Sequence, residues 1–295
     1  MVDTKSFRIV VCMPAYDEEE SIRETIKDIK KYMLGYDYDI HVQDDGSTDK
    51  TVEIAKDEGA CVFKNVRNLG LAKTFLEEMK HVTDYDIVVH TDADGQYPAK
   101  FIPEMITKVM EGNDLVLGSR FSQGSSYNEA WLKKIGNKMF ARAFTKLLRI
   151  SLTDTTTGFR AFNKKVASLT LINDFTYTQE QIIRATKEGL RIAEIPITTN
   201  KTRKSKLFKN PLEYALKAWI NIFRIYRDYN PIKFFGKIGL TFFATGFILG
   251  CYIITRVVMT GNTGGIPRVI LSAMLMLNGV QILLFGFLSD MWRKS

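Results

Sequence analysis

From residue 7 to residue 118 short apolar runs alternate with segments of helical period, and this alternation restricts the fold more than any other feature. Ile9-Val10-Val11, Ile40 to Val42, Cys61-Val62-Phe63, Ile87-Val88-Val89 and Leu115-Val116-Leu117 read as strands. Glu18 to Met33, Asp49 to Glu58, Ala72 to His81 and Pro98 to Met110 read as the helices between them. Such a pattern predicts parallel strands in an α/β sheet. Ligands of these sheets bind beyond the carboxyl ends of the strands.

The informative residues sit at those ends. Met13-Pro14-Ala15-Tyr16-Asp17-Glu18 follows the first run, Asp44-Asp45-Gly46-Ser47-Thr48-Asp49 the second, Asp92-Ala93-Asp94-Gly95-Gln96 the fourth and Gly118-Ser119-Arg120-Phe121 the fifth. Each has a bland reading as a proline turn, an Asp or Ser helix cap, or a glycine terminator. Their coincidence on one edge argues for a site. If strand alternation continues through Asp92, that carboxylate and Asp94 share one face, and Gly95 lets Gln96 turn back toward them. Hard oxygen ligands of this kind suit Mg²⁺ or Mn²⁺, which keep their waters and hold a diphosphate as well. No Gly-x-Gly-x-x-Gly and no Gly-x-x-x-x-Gly-Lys-Ser/Thr occurs, which argues against a nicotinamide oxidoreductase or a P-loop enzyme.

The C-terminal third changes character. Ile238 to Val258 carries Arg256 as its only charge and Val269 to Leu288 carries none, so each supplies the roughly 20 residues that cross a bilayer. The turn-rich Gly261-Asn262-Thr263-Gly264-Gly265 between them makes a membrane hairpin the simplest reading. Lys233 and Lys237 precede the first span, Arg224 and Arg227 lie further back, and Arg293 and Lys294 follow the second, while the connection holds only Arg256 and Arg268 at its edges. The positive-inside rule then puts both termini on the cytoplasmic side of a cell or endoplasmic-type membrane. Between Pro211 and Asn230, Leu212, Leu216, Trp219, Ile220, Phe223 and Tyr226 recur at helical spacing among Lys217, Arg224 and Arg227, which describes a helix lying in the headgroup layer. The expected division is a catalytic domain over 1–210, an interfacial helix over 211–230 and a two-span hairpin over 231–295.

A net charge of +8, from 41 basic and 33 acidic residues, fits an anionic partner such as a nucleotide or phospholipid. Nucleic acid gains little support, because the basic residues concentrate beside the spans and no recognition motif is present. Cys12, Cys61 and Cys251 form no disulfide framework or metal spacing, and His41, His81 and His90 are scattered. The N-terminus lacks the basic-then-apolar signature of a signal peptide, so the catalytic part is expected in the cytosol.

Taken together, the clusters resemble those of the family 2 glycosyltransferases, which have the nucleotide-sugar-binding α/β fold called GT-A. Within them the chain is similar to the polyprenyl-phosphate hexose synthases typified by dolichyl-phosphate mannose synthase, from about Ile9 through the hairpin. Pro14-Ala15-Tyr16-Asp17-Glu18 is similar to the family's Pro-Ala-Tyr-Asn-Glu, with Asp17 in place of Asn. The resemblance implies that Pro14, Ala15, Tyr16 and Glu18 line the base and ribose pocket and that Asp45 reads the base. It implies a metal on Asp92, Asp94 and Gln96, with Asp92, Ala93 and Asp94 also against the nucleotide sugar, a phosphate grip at Arg120, and Asp154 facing the transferred sugar. Asp94, Arg120 and Asp154 are then the expected catalytic residues. One motif departs: mannose-type members often carry Arg-x-x-Gly-x-Ser-Lys, whereas Asn200-Lys201-Thr202-Arg203-Lys204-Ser205-Lys206 has Asn200 and Arg203 at the Arg and Gly positions. Arg203 and Lys206 remain the candidates for closing over the diphosphate, with a lipid-binding basic patch as the other reading.

The expected activity is inverting, metal-dependent transfer of a hexose from a nucleotide sugar to dolichyl or another polyprenyl phosphate. GDP-mannose is the favoured donor, and UDP-glucose or another UDP-hexose the alternative. The acceptor phosphate is itself the nucleophile, so transfer demands no strong general base. Lys133, Lys134, Lys138 and Arg142 are candidates to meet it, or form a solvated basic face. A processive polysaccharide synthase ranks low, because Gln181-Ile182-Ile183-Arg184-Ala185 lacks the tryptophan of Gln-x-x-Arg-Trp. A membrane-anchored binding protein without catalysis is disfavoured by Asp92, Asp94, Arg120 and Asp154. Homo-oligomerisation is left open.

Overall fold

A computed structural model describes residues 7–122, 150–171, 177–200, 220, 223–224, 227, 230–263 and 265–294. The chain divides into two compact units, Met1–Glu213 and Tyr214–Ser295.

The first unit is built on a seven-stranded sheet in the order β3-β2-β1-β4-β6-β5-β7. Its strands are β1 (Ile9–Ala15), β2 (Tyr38–Asp44), β3 (Cys61–Lys64), β4 (Ile87–His90), β5 (Leu115–Ser119), β6 (Arg160–Asn163) and β7 (Ile192–Pro196). Every pairing is parallel except those of β6, which runs against β4 and β5. The GT-A architecture expected from the sequence is therefore the one observed. Because β6 is reversed, it begins where β4 ends, with Arg160 opposite His90. The segment from Ser151 to Phe159 is thereby delivered to the edge where the other polar clusters sit.

Between the strands lie α1 (Ile22–Tyr32), α2 (Thr51–Asp57), α3 (Leu71–Met79), a 3₁₀ turn (Ala99–Phe101), α4 (Ile102–Met110), α5 (Lys164–Ala167) and α6 (Tyr177–Lys187). Helix α1 shows why these segments fold as they do. Ile22, Ile26 and Ile29 recur at helical spacing and are buried, while Glu24 in the first turn and Lys30 and Lys31 in the last oppose the helix dipole. They pack on Ile9, Val11, Met13 and Ala15 of β1, with Ile102, Met105 and Ile106 of α4 in the same core. Each such side chain contributes roughly 1.5–3 kcal/mol by leaving water.

Two boundaries differ from the sequence reading. Residues 18–21 precede α1 as a turn: Glu18 N–H donates to Thr51 Oγ1 at the start of α2 (2.8 Å), Glu19 N–H to Asp49 Oδ2 (3.1 Å), and Ser21 N–H back to Glu18 O (3.1 Å). Pro98 is extended, at ψ 128, and the 3₁₀ turn that follows is capped by Asp28, whose Oδ2 accepts the Ala99 N–H at 2.8 Å.

The second unit holds α7 (Pro231–Thr260) and α8 (Ile266–Lys294). Both are long and apolar enough to cross a membrane, and only 17% of each apolar window is buried, unlike a soluble core helix. Helix α7 stops at Gly261, whose φ of 67 permits the left-handed cap, with its N–H on Val257 O at 2.8 Å. Thr241, Thr245, Thr255 and Thr260 return their hydroxyls to carbonyls one turn back, and Ser272 donates to Gly246 O at 2.8 Å. These five hydroxyls are thus satisfied by backbone carbonyls of α7, as an apolar surrounding would require. Ile220, Phe223, Arg224 and Arg227 of the expected interfacial segment are helical; the rest of it between 211 and 229 lies outside the described residues.

Candidate active site

Pro14 and Ala15 are the last residues of β1, and both are buried, forming the floor of the site. A proline is tolerated in this central strand because β4 has ended beside it. Cys12 C=O accepts the Thr91 N–H toward β4 and Ala15 C=O accepts the Asp45 N–H (2.8 Å) toward β2, so Pro14 faces the side where no partner strand remains. Tyr16 then emerges, 40% exposed.

Asp17 is the single non-glycine residue with positive φ (51) among the described residues. Its N–H donates to Ser47 Oγ (3.0 Å) and its Oδ1 accepts the Thr48 N–H (2.9 Å), stitching the loop after β1 to the loop after β2. Asn tolerates this conformation and has the same shape, whereas a β-branched side chain resists it. Asp17→Asn is expected to leave stability within about 0.5 kcal/mol, and Asp17→Val to cost about 1–3 kcal/mol, both read from thermal unfolding.

Asp45 is buried, and its carboxylate accepts from Asn65 Nδ2 (2.9 Å), Leu69 N–H (2.8 Å) and Gly70 N–H (2.9 Å). It therefore anchors the loop that leads into α3. Nothing in the sequence pattern marks this loop as part of the edge.

The Asp92-to-Gln96 segment is a turn and not a continuation of β4, which stops at His90. The acids are therefore held by turn geometry instead of strand alternation. Gly95 adopts φ 70, and Asp94 Oδ1 accepts the Gln96 N–H at 2.9 Å. Thr25 of α1 donates to Ala93 O (3.1 Å), and Asn200 holds the far side, its N–H on Gln96 O (2.9 Å) and its side chain on Gly95 O (3.0 Å). On the inner side a Cβ at Gly158 would lie 3.0 Å from Asp92 Oδ1, so glycine leaves room for that carboxylate. Burial, then the charge of Asp94, pushes Asp92 up to about 7; Arg120 and Arg160 pull against this and Glu18 adds to it. Crowded carboxylates of this sort gain from a divalent cation. Among the described residues no three His, Cys, Asp or Glu side chains form a metal cage. Two carboxylates and an amide leave coordination positions for water and phosphate, and so fit a metal shared with substrate.

Arg120 and Asp154 form a forked ion pair: Nε to Oδ2 at 2.7 Å and Nη2 to Oδ1 at 3.1 Å, with Arg120 N–H on Oδ2 at 3.3 Å. Thr156 adds its N–H to Asp154 Oδ1 and accepts from Arg120 Nη2 (2.9 Å). Asp154 is 1% exposed. Burial raises its pKa, but the Arg120 charge and the hydrogen bonds outweigh this and hold it below the usual carboxylate range. Its carboxylate is committed to orienting Arg120.

Beneath these groups lie His90 and Arg160, both fully buried. Burial pushes His90 down to about 3, and its Nδ1 meets Gly158 O at 2.9 Å, so the neutral ring donates there and ties β4 to the segment before β6. Arg203, Lys206, Lys133, Lys134, Lys138 and Arg142 lie outside the described residues.

Comparison with known proteins identifies the family. The family model described as glycosyl transferase family 2 matches residues 10–169. Glycosyltransferase AglJ of Haloferax volcanii is 28% identical over 96% of this chain and 93% of its own length. A dolichyl-phosphate hexose transferase of the same organism is 33% identical over 65% of this chain and 81% of its own. The fold is similar to that of glucosyl-3-phosphoglycerate synthase from Mycobacterium tuberculosis, solved with Mn²⁺, UDP and glucosyl-3-phosphoglycerate, at TM-score 0.58 and 22% identity over 73% of this chain and 80% of that one. The chain belongs to glycosyl transferase family 2 and is a glycosyltransferase.

Proposed function

We propose that this glycosyltransferase moves a hexose from a nucleoside diphosphate sugar to dolichyl or another polyprenyl phosphate at the cytoplasmic face of a membrane. The observation that carries the reading is the conjunction of the acidic turn and the Arg120–Asp154 pair on one sheet edge with helices of membrane length in the same chain. A lipid-borne acceptor keeps its tail in the bilayer, so an anchored catalytic domain meets it at the surface. The division into a catalytic domain (1–210), an interfacial helix (211–230) and a hairpin (231–295), with both termini cytoplasmic, belongs to the proposal.

In this scheme Pro14, Ala15, Tyr16 and Glu18 receive base and ribose, with Asp45 fixing the neighbouring loop. A Mg²⁺ or Mn²⁺ held by Asp92, Asp94 and Gln96 would neutralise the departing diphosphate; the related fold that holds Mn²⁺ with UDP supports this. Arg120, aimed by Asp154, adds positive charge toward the phosphates, and Arg203 and Lys206 are the candidates to close over them. The acceptor phosphate attacks opposite the leaving group, so an α-linked donor gives a β-linked lipid product. Lys133, Lys134 and Lys138 are assigned to the acceptor phosphate.

GDP-mannose is the donor that the motif resemblance favours. A UDP-hexose is the second reading, on one observation: Asn200, which stands where mannose-type enzymes carry arginine, gives its side chain to Gly95 O and brings no charge to a diphosphate. Incubating membranes that contain the protein with labelled GDP-mannose or UDP-glucose tests both, with and without polyprenyl phosphate. The expected result is label in an organic-extractable lipid from one donor only, dependent on the lipid phosphate. Label appearing only as free sugar or polymer rejects the lipid acceptor.

A further inference from the structure

We propose that Glu194 is a positioning residue of the transferase, a carboxylate clamp on the edge strand that fixes the Arg120–Asp154 pair from both sides; this rests on the transfer reading above. Glu194 lies on β7, paired in register with Leu117 of β5. Its side chain reaches across to the segment before β6. Thr153 N–H donates to Oε1 (2.9 Å) and Oε2 (2.8 Å), Asp154 N–H donates to Oε1 (2.8 Å), and Thr153 Oγ1 donates to Oε2 (2.9 Å). One carboxylate thus takes the backbone of the residue that orients Arg120.

The second arm runs through hydroxyls. Thr153 Oγ1 and Ser119 Oγ are 2.6 Å apart. An ionised carboxylate only accepts, so the single Thr153 hydroxyl hydrogen goes to Glu194, and Ser119 must donate to Thr153. Ser119 Oγ in turn accepts the N–H groups of Phe121 (3.2 Å) and Ser122 (3.1 Å), the residues that follow Arg120. A single direction of donation therefore runs from the Arg120 turn to Glu194. Ser119 is 0% exposed, so water does not substitute for these partners. Burial leaves the Glu194 pKa raised, with the Asp154 charge adding to the rise and the bonds from Asp154 and Thr153 limiting it.

Glutamine cannot do this work. Its NH₂ would face N–H donors, and only one oxygen would remain to accept. A shift of the Arg120–Asp154 pair by about 1 Å is worth on the order of 10²-fold in rate. The test compares wild type, Glu194→Gln, Arg120→Lys and the double variant in full-length protein, reading the rate of transfer to polyprenyl phosphate. Alongside it, modification of Arg120 by phenylglyoxal is followed by mass spectrometry. The expected result is a large rate loss in E194Q that nearly vanishes when Arg120 is already Lys, together with faster modification of Arg120 while buried Arg160 stays protected. A purely structural role gives losses that multiply in the double variant and exposes both arginines. Wild-type rates in E194Q, or unchanged Arg120 reactivity, overturn the clamp. If E194Q does not accumulate, Thr153→Val removes only the hydroxyl arm from an exposed side chain and is expected to show the same pattern at smaller size. Absence of transfer by the wild type would reject the transferase reading alone, since Arg120 reactivity still tests the clamp.

Discussion

Replacing Asp94 by Ala is expected to lower the transfer rate about 10²- to 10³-fold while the domain stays folded. Asp94 is half-buried in the turn after β4, and the bond it accepts from the Gln96 N–H is worth about 1 kcal/mol. Thr25 and Asn200 still grip the same turn from either side. Chemistry is not insulated. Departure of a nucleoside diphosphate releases charge that must be met in the transition state, and among the described residues Arg120 and Arg160 share their charge with Asp154 and Asp92, so neither replaces a divalent cation. Asp94→Asn keeps the turn bond and removes the charge, so its loss should approach that of the alanine variant. Metal binding supplies a second readout: Mn²⁺ should raise the melting temperature of the wild type and not of either variant, since only a ligand of the folded state stabilises it. Chelation with EDTA should lower wild-type transfer to the level of D94A. Full activity in D94A, or in the wild type after chelation, would remove the metal from the scheme.

Much of this edge was legible in the chain. The strands β1 to β5 are apolar and separated by helices with a buried stripe, and local patterning reports both. Strands β6 and β7 went unread because their sequences do not look like strands: Arg160-Ala161-Phe162-Asn163 begins with a buried arginine, and β7 carries Glu194 on an edge. The acidic and basic residues of the site were visible as residue types at strand ends. Their partnerships were not, because each is made between residues distant in sequence. Glu194 holds Asp154 from 40 positions away and Asn200 holds Gly95 from 105. No spacing rule connects such pairs; only the sheet order, which sets β7 beside β5 and β6 between β5 and β4, brings them together. The start of α1 was misplaced for a related reason. Glu18 to Ser21 look like a helix N-terminus, but the N–H groups of Glu18 and Glu19 go to Thr51 and Asp49, and the chain closes a turn on Glu18 O before α1 begins.

Arg160→Ala is expected to cost about 3–5 kcal/mol of stability, the largest loss of any single change proposed for this domain. The guanidinium is 0% exposed and donates from Nη1 to Thr178 O (3.1 Å) and Gln181 Oε1 (2.8 Å) and from Nη2 to Thr157 O. Removing it strands buried acceptors from the segment before β6 and from α6, at about 1–3 kcal/mol for each left without a partner. It also takes away one of the positive charges facing Asp92 and Asp154, so the carboxylates of the edge lose compensation in a medium where they cannot call on water. Arg160→Lys separates the two contributions. Lysine retains the charge but cannot fork, so it should recover part of the loss through electrostatics and leave the Thr178 and Gln181 acceptors unequally served. Thermal unfolding of the full chain in detergent should therefore rank wild type above lysine and lysine above alanine. A lysine variant no better than alanine would mean that the hydrogen-bonded fork, and not the charge, is what the acidic edge rests on. An alanine variant as stable as wild type would mean that the buried guanidinium holds nothing together.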